Sequence, residues 1–67
     1  MSVVKIIEVI SQGKSIEEAL QSAIHEASKT LHNIKQINVE HVSGIVENNK
    51  IVEFRINAKI SFVVDQK

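Results

Sequence analysis

The sequence predicts an α+β fold: a small β-α-β-β unit whose three-stranded antiparallel sheet, in the order 1-3-2, wraps partly around one helix. Three observations predict it. From Ile51 to Val64 every even position is apolar, from Val52 through Phe54, Ile56, Ala58, Ile60 and Phe62 to Val64, while Glu53, Arg55, Asn57, Lys59 and Ser61 occupy the other parity. That is the pattern of a strand with one covered face. Residues 16–32 instead repeat their apolar positions every three or four residues, and the Val- and Ile-rich stretches on either side of them read as further strands.

The first strand is expected over Ser2 to Ser11. Both parities hold apolar residues (Val3, Ile7 and Val9 against Val4, Ile6 and Ile10), so its buried face stays ambiguous and both faces can be covered. Gln12, Gly13 and Lys14 read as a break. Ser15-Ile16-Glu17-Glu18 then matches a capping box, in which the Ser hydroxyl accepts from an orphan helical N–H and the Glu three residues on reaches back. The helix runs from Ile16 to His32. Its stripe of Ile16, Ala19, Leu20, Ala23, Ile24, Ala27 and Leu31 is rich in alanine, which lets it lie close to a sheet, and His32-Asn33 suits a C-terminal stop.

The second strand spans Ile34 to Glu47, with a change of phase that predicts a bulge or bend near His41 to Gly44. Asn48 and Asn49 tolerate the positive backbone angles of a tight hairpin, and Glu47 and Lys50 can pair across it. The strand order follows from direction. A helix returning from strand one makes strand two parallel to it, and the hairpin makes strand three antiparallel to both. An all-antiparallel sheet therefore places strand three in the centre.

Sixty-seven residues form one domain, 1–67, in a size range where a lone hydrophobic core leaves little margin. There is no cysteine to supply disulfides or thiolate metal sites, so association with other copies is the expected source of further burial. The fourteen residues of strand three would reach roughly 46 Å, and a helix about 10 Å wide cannot cover three strands of that size. Eight basic residues balance eight acidic ones and are scattered along the chain, which leaves no electrostatic footprint for nucleic acid or an anionic membrane. Lys5 and Glu8 interrupt the opening apolar residues, so neither a signal peptide nor a transmembrane span is expected, and a cytoplasmic location is the default.

Three strings carry a family resemblance: Lys5-Ile6-Ile7-Glu8-Val9, Ala27 through Leu31 to Ile34, and Asn49 through Arg55 on to Lys59-Ile60-Ser61-Phe62. With the βαββ order and the length, they resemble the dodecin family, small proteins that build hollow twelve-subunit shells. The resemblance covers nearly the whole chain. It implies a non-enzymatic homododecameric shell that binds or stores a small ligand, a flavin in well-known members, stacked between a tryptophan on strand two and a glutamine on strand three. Those two cofactor-binding positions fall on Gln36 and Arg55. Because the chain has no Trp or Tyr, flavin binding is expected to be weak or absent, and no other cofactor is indicated. A structural or protein-interaction assembly without a small ligand, and a variant that binds metal ions such as calcium, are the alternatives.

Other candidate groups favour ordinary roles. Arg55 is expected to pair with Glu53, a neighbour of Lys59 or a carboxylate of the next subunit. Glu40 and Glu53 lack the spacing of a calcium loop. His25 and His32 share a helical face but stand two turns, roughly 10 Å, apart, too far for one metal ion within a subunit. Ser28 and His32 can touch at four residues' spacing, yet no orienting group or oxyanion hole is recognisable, so no catalytic residue is assigned. Phe54 and Phe62 belong to the face beneath the helix.

Overall fold

The computed structural model describes residues 3–64. The elements are β1 (Val3–Gly13), α1 (Ile16–Ala27), β2 (Ile34–Glu47) and β3 (Lys50–Val64). They form one three-stranded sheet in the order β1-β3-β2, with β3 antiparallel to both neighbours. Fold class, strand order and the central place of β3 agree with the sequence reading. Ser2, the expected start of the first strand, lies outside the described residues.

From Phe54 onward the even side chains of β3 face the helix side, and Ile56, Ala58 and Ile60 are fully buried. Against them pack Ala19, Ala23 and Ala27, the small residues that let α1 come close. The register settles the ambiguity of β1. Ile7 and Val9 lie opposite Ile60 and Ala58 and point toward the helix, so Ile6 and Ile10 point away and are exposed.

Four boundaries differ from expectation. The helix stops at Ala27 instead of His32, because the Ser28 hydroxyl donates to the His25 carbonyl oxygen at 2.8 Å and the Lys29 and Thr30 N–H groups bond three residues back, to Glu26 and Ala27. Serine competing for local carbonyls and tightened final bonds end a helix in this way. Leu31 still packs on Ala23, Ala27 and Ile60, and Asn33 takes the left-handed conformation at φ 61. β1 does not break at Gln12 but runs through Gly13, where a Cβ would stand 2.6 Å from the Ala19 backbone nitrogen. Glycine there lets the strand end lie against the helix. The expected bulge between His41 and Gly44 falls one residue earlier, at Glu40, with further register shifts at Lys35 and between Ile45 and Val46. β3 begins at Lys50, paired with Glu47 across a turn in which Asn48 and Asn49 both have positive φ.

The subunit is extended, measuring 54 × 20 × 13 Å. Its radius of gyration is 14.0 Å, against about 11 Å for a compact chain of this length. Its accessible surface is 5105 Å², about 900 Å² more than the roughly 4,200 Å² of a compact monomer of this mass. The reason is geometric. α1 has twelve residues and spans about 18 Å, and it lies over β1 and β3 while barely reaching β2.

Candidate functional site

The face of the sheet turned away from α1 carries both Gln36 and Arg55, the two positions singled out in the sequence. Gln36 lies opposite Ser61, while Arg55 sits between Gln12 and Ser43. Both are exposed. Ser61 and Arg55 are six residues apart on β3, about 20 Å, so Gln36 and Arg55 of one subunit do not meet. A ligand touching both positions has to draw them from different subunits.

Arg55 is already engaged. Its Nε and Nη2 donate to the Gln12 Oε1 at 3.1 and 2.9 Å, and the Gln12 Nε2 donates to the Glu53 Oε1 at 3.2 Å. The guanidinium fork, which usually clasps a carboxylate or phosphate, here clasps a neutral amide oxygen. Gln12 thus takes the place of the carboxylate partner expected for Arg55 and stands between the two opposite charges. Sequence reading missed Gln12 because its neighbour Gly13 suggested a break, and the strand register that sets it opposite Arg55 is not visible in local pattern.

A second polar group lies farther along the same face. The Asn38 Nδ2 donates to the Glu40 Oε2 at 3.1 Å, and the Lys59 Nζ stands 3.9 Å from the Glu40 Oε1. Glu40 and Glu53 are separated along the sheet, each engaged by its own neighbours. Among the described residues no three His, Asp or Glu side chains converge to hold a metal ion.

The helix-end groups do not assemble into a site either. His32 lies beyond the end of α1, so it does not share a helical face with His25, and the Ser28 proton is committed to the His25 carbonyl. The Glu26 carboxyl is held below its ordinary pKa by a hydrogen bond from Lys29 at 2.9 Å and by that residue's charge. Two concavities flank the helix. One of about 310 Å³ lies between α1 and β1, lined by apolar Ile7, Val9, Ile10, Ala23 and Ala27 with Ser22 and Glu26 among the polar residues. The other is a shallow polar depression at Gln21, His25 and Glu26.

A flat ring system such as a flavin gains much of its affinity from aromatic stacking. The chain has no Trp or Tyr, and its two Phe, Phe54 and Phe62, lie on the helix side, each half-buried. The residues present therefore do not fit a ring held between aromatic walls on the outer face.

One helix against a partly covered three-stranded antiparallel sheet defines a small β-α-β-β protein with extensive exposed sheet. The dodecin family matches residues 3–65. The chain belongs to the dodecin family, one of small, non-enzymatic flavin-binding proteins that form dodecamers. Among solved structures, an arginine-to-alanine variant of Thermus thermophilus dodecin is 22% identical with TM-score 0.91, covering 100% of both chains. Dodecin from Streptomyces davaonensis is 23% identical with TM-score 0.88, covering 97% of each chain. Dodecin from Streptomyces coelicolor is 21% identical with TM-score 0.89, covering 98% of this chain and 96% of its own. At these identities the likeness establishes the fold. Comparison with curated protein sequences returned no match. No helix among the described residues is long and apolar enough to cross a membrane.

Proposed function

We propose that this protein is a non-enzymatic homododecameric shell, working in the cytoplasm, that binds or stores a small ligand and holds flavin weakly or not at all. The observation that carries the assembly is the uncovered sheet: Val4, Ile6, Ile10, Val42, Val46 and Ile51 are each 49–65% exposed in the subunit, an apolar surface of the kind that marks an association site. Family membership supports the count of twelve.

Weak flavin binding is supported by the lack of Trp and Tyr and by the engagement of Arg55 with Gln12. The same engagement favours a second reading, a structural or protein-interaction shell without a small ligand, because the polar groups at that end of the outer face satisfy one another. A flavin fluorescence titration tests the ligand side. The wild-type shell is expected to quench flavin little, and Gln36→Trp with Arg55→Gln to bind it more tightly. Strong quenching by the wild type would overturn the weak-binding reading, and a double variant no better than wild type would count against Gln36 and Arg55 as ligand positions.

A further inference from the structure

The concavity between α1 and β1 stands apart from Gln36 and Arg55, on the other side of the sheet. Its floor is apolar and comes from both elements: half-buried Ile7 and Val9 of β1, and buried Ala23 and Ala27 of α1. Residue size explains the space. Alanine at 23 and 27 lets the helix close on Ile60 of β3, but a methyl group is too short to fill the room left over the edge strand, so the lining there lacks packing partners. At about 310 Å³ the slot stands at the small end of the roughly 300–1,000 Å³ range of ligand pockets. It has room for a small molecule.

One side of the slot is polar. Ser22 and Glu26 line it from α1, one helical turn apart, with Cβ atoms about 6 Å from each other. Ser11, two residues after Val9 and so on the same side of β1, lines it from the strand. Neither serine hydroxyl bonds another described residue, although a serine inside a helix has the carbonyl four residues back within reach. Glu26 is the one charged residue of the lining among the described residues. Lys29 takes its Oε2, and its Oε1 has no partner among the described residues. The polar depression beside the slot shares Ser22 and Glu26, adds Glu18 and His25, and is lined by no Lys or Arg among the described residues. Two carboxylates against Lys29 make the mouth favour a cation.

We propose that this slot binds a small organic cation, a primary ammonium on an aryl or alkyl body, with the body on Ile7, Val9, Ala23 and Ala27 and the ammonium donating to the Glu26 carboxylate and the Ser22 hydroxyl. The site goes beyond the shell reading above and needs neither Gln36 nor Arg55. An ammonium carries three donors and no acceptor, which matches a rim of carboxylate and hydroxyl oxygens. A carboxylate-bearing ligand would meet Glu26 as a like charge, and an uncharged apolar one would leave the rim without a partner. Lys29 does not stand in the way, because its pair with Glu26 is exposed and such pairs hold weakly.

Calorimetric titration of the purified full-length protein with 2-phenylethylammonium tests this, with methyl NMR to locate the ligand. Saturable binding that shifts the Ile7 and Val9 methyls is the expected result. The uncharged 2-phenylethanol should bind several-fold more weakly, and the anion 3-phenylpropionate more weakly still. Glu26→Gln should weaken the ammonium about fivefold and leave 2-phenylethanol unchanged. Ser22→Leu fills the mouth and should abolish saturable binding, while Arg55→Gln should have no effect. Positions 22 and 26 are exposed and both replacements are good helix formers, so circular dichroism should show both variants folded. The comparison of the three ligands on the wild type holds whether or not they are. No saturable binding, which is also the outcome if a neighbouring copy of the chain fills the slot, overturns the proposal. So do equal affinities for ammonium and carboxylate, shifts confined to other methyls, or an ammonium affinity unmoved by Glu26→Gln.

Discussion

The helix side of the sheet divides into two lengths that follow one sequence rule and meet opposite fates. Under α1, Ile56, Ala58 and Ile60 are fully buried against three alanines, whereas past the helix Val42, Val46 and Ile51 stay at 49–59% exposure. Strand alternation dictates which face is apolar, but the helix decides how much of that face is covered. Twelve helical residues cover about 18 Å, while the fifteen residues of β3 extend about 50 Å. The mismatch leaves one length of the apolar face buried and the other exposed.

The sharpest way to probe that contrast is a pair of truncations. Ile56→Ala removes a fully buried side chain and is expected to cost about 2–5 kcal/mol in denaturant unfolding. Val42→Ala, its cross-strand partner, should cost under about 1 kcal/mol within the subunit, with any further loss depending on protein concentration because neighbouring copies then provide the cover. Equal, concentration-independent losses at both positions would erase the distinction between the two lengths.

The two glycines offer the next test. At Gly13 a Cβ meets backbone at 2.6 Å, so Gly13→Ala should destabilise by about 1–3 kcal/mol. At Gly44 the nearest atom is the Ile51 side chain at 3.5 Å, an ordinary contact. Gly44→Ala should therefore be neutral or mildly stabilising, by up to about 1 kcal/mol. Thermal melts of the two variants check the difference, and a tolerated alanine at residue 13 would contradict the close strand–helix approach.

Ser15→Ala comes next in size. The Ser15 Oγ accepts from the Glu18 N–H at 3.0 Å, and the Glu18 carboxylate accepts from the Lys14 N–H at 2.8 Å. Loss of the cap should cost about 1 kcal/mol and fray the first turn of α1, as read by amide hydrogen exchange.

The smallest effect is at Glu26. Its lowered pKa means that its contribution to stability is present above the unfolded value and is lost as pH falls through the folded value. Lys29→Gln should return the carboxyl toward its ordinary range, visible by NMR titration but with little change in melting temperature because the pair is exposed. An unmoved Glu26 titration would show that Lys29 is not the cause.

Local chemistry made much of the fold legible. Alternation in β3, the capping box at Ser15 and the Asn48-Asn49 turn each act within a few residues, and direction alone then gave the strand order. What escaped has two sources, competing local bonds at the helix end and partners distant in sequence. Ser28 and Thr30 follow the helical stripe, yet local bonds close the helix before them. Gln12 looks like part of a break until the register sets it opposite Arg55, forty-three residues away. The candidate site was legible as far as placing Gln36 and Arg55 on the outer face. Their separation of about 20 Å follows from the bulges and pairing of β2, which no local pattern specifies.

Native mass spectrometry of the protein purified without added ligand tests most directly whether the uncovered length of sheet is completed by copies of the same chain. The expected result is a single species of twelve 7.5 kDa subunits, about 90 kDa, without the added mass of a flavin. A 7.5 kDa monomer at micromolar concentration would contradict it, since the chain would then be stable with Val4, Ile6, Ile10, Val42, Val46 and Ile51 in water.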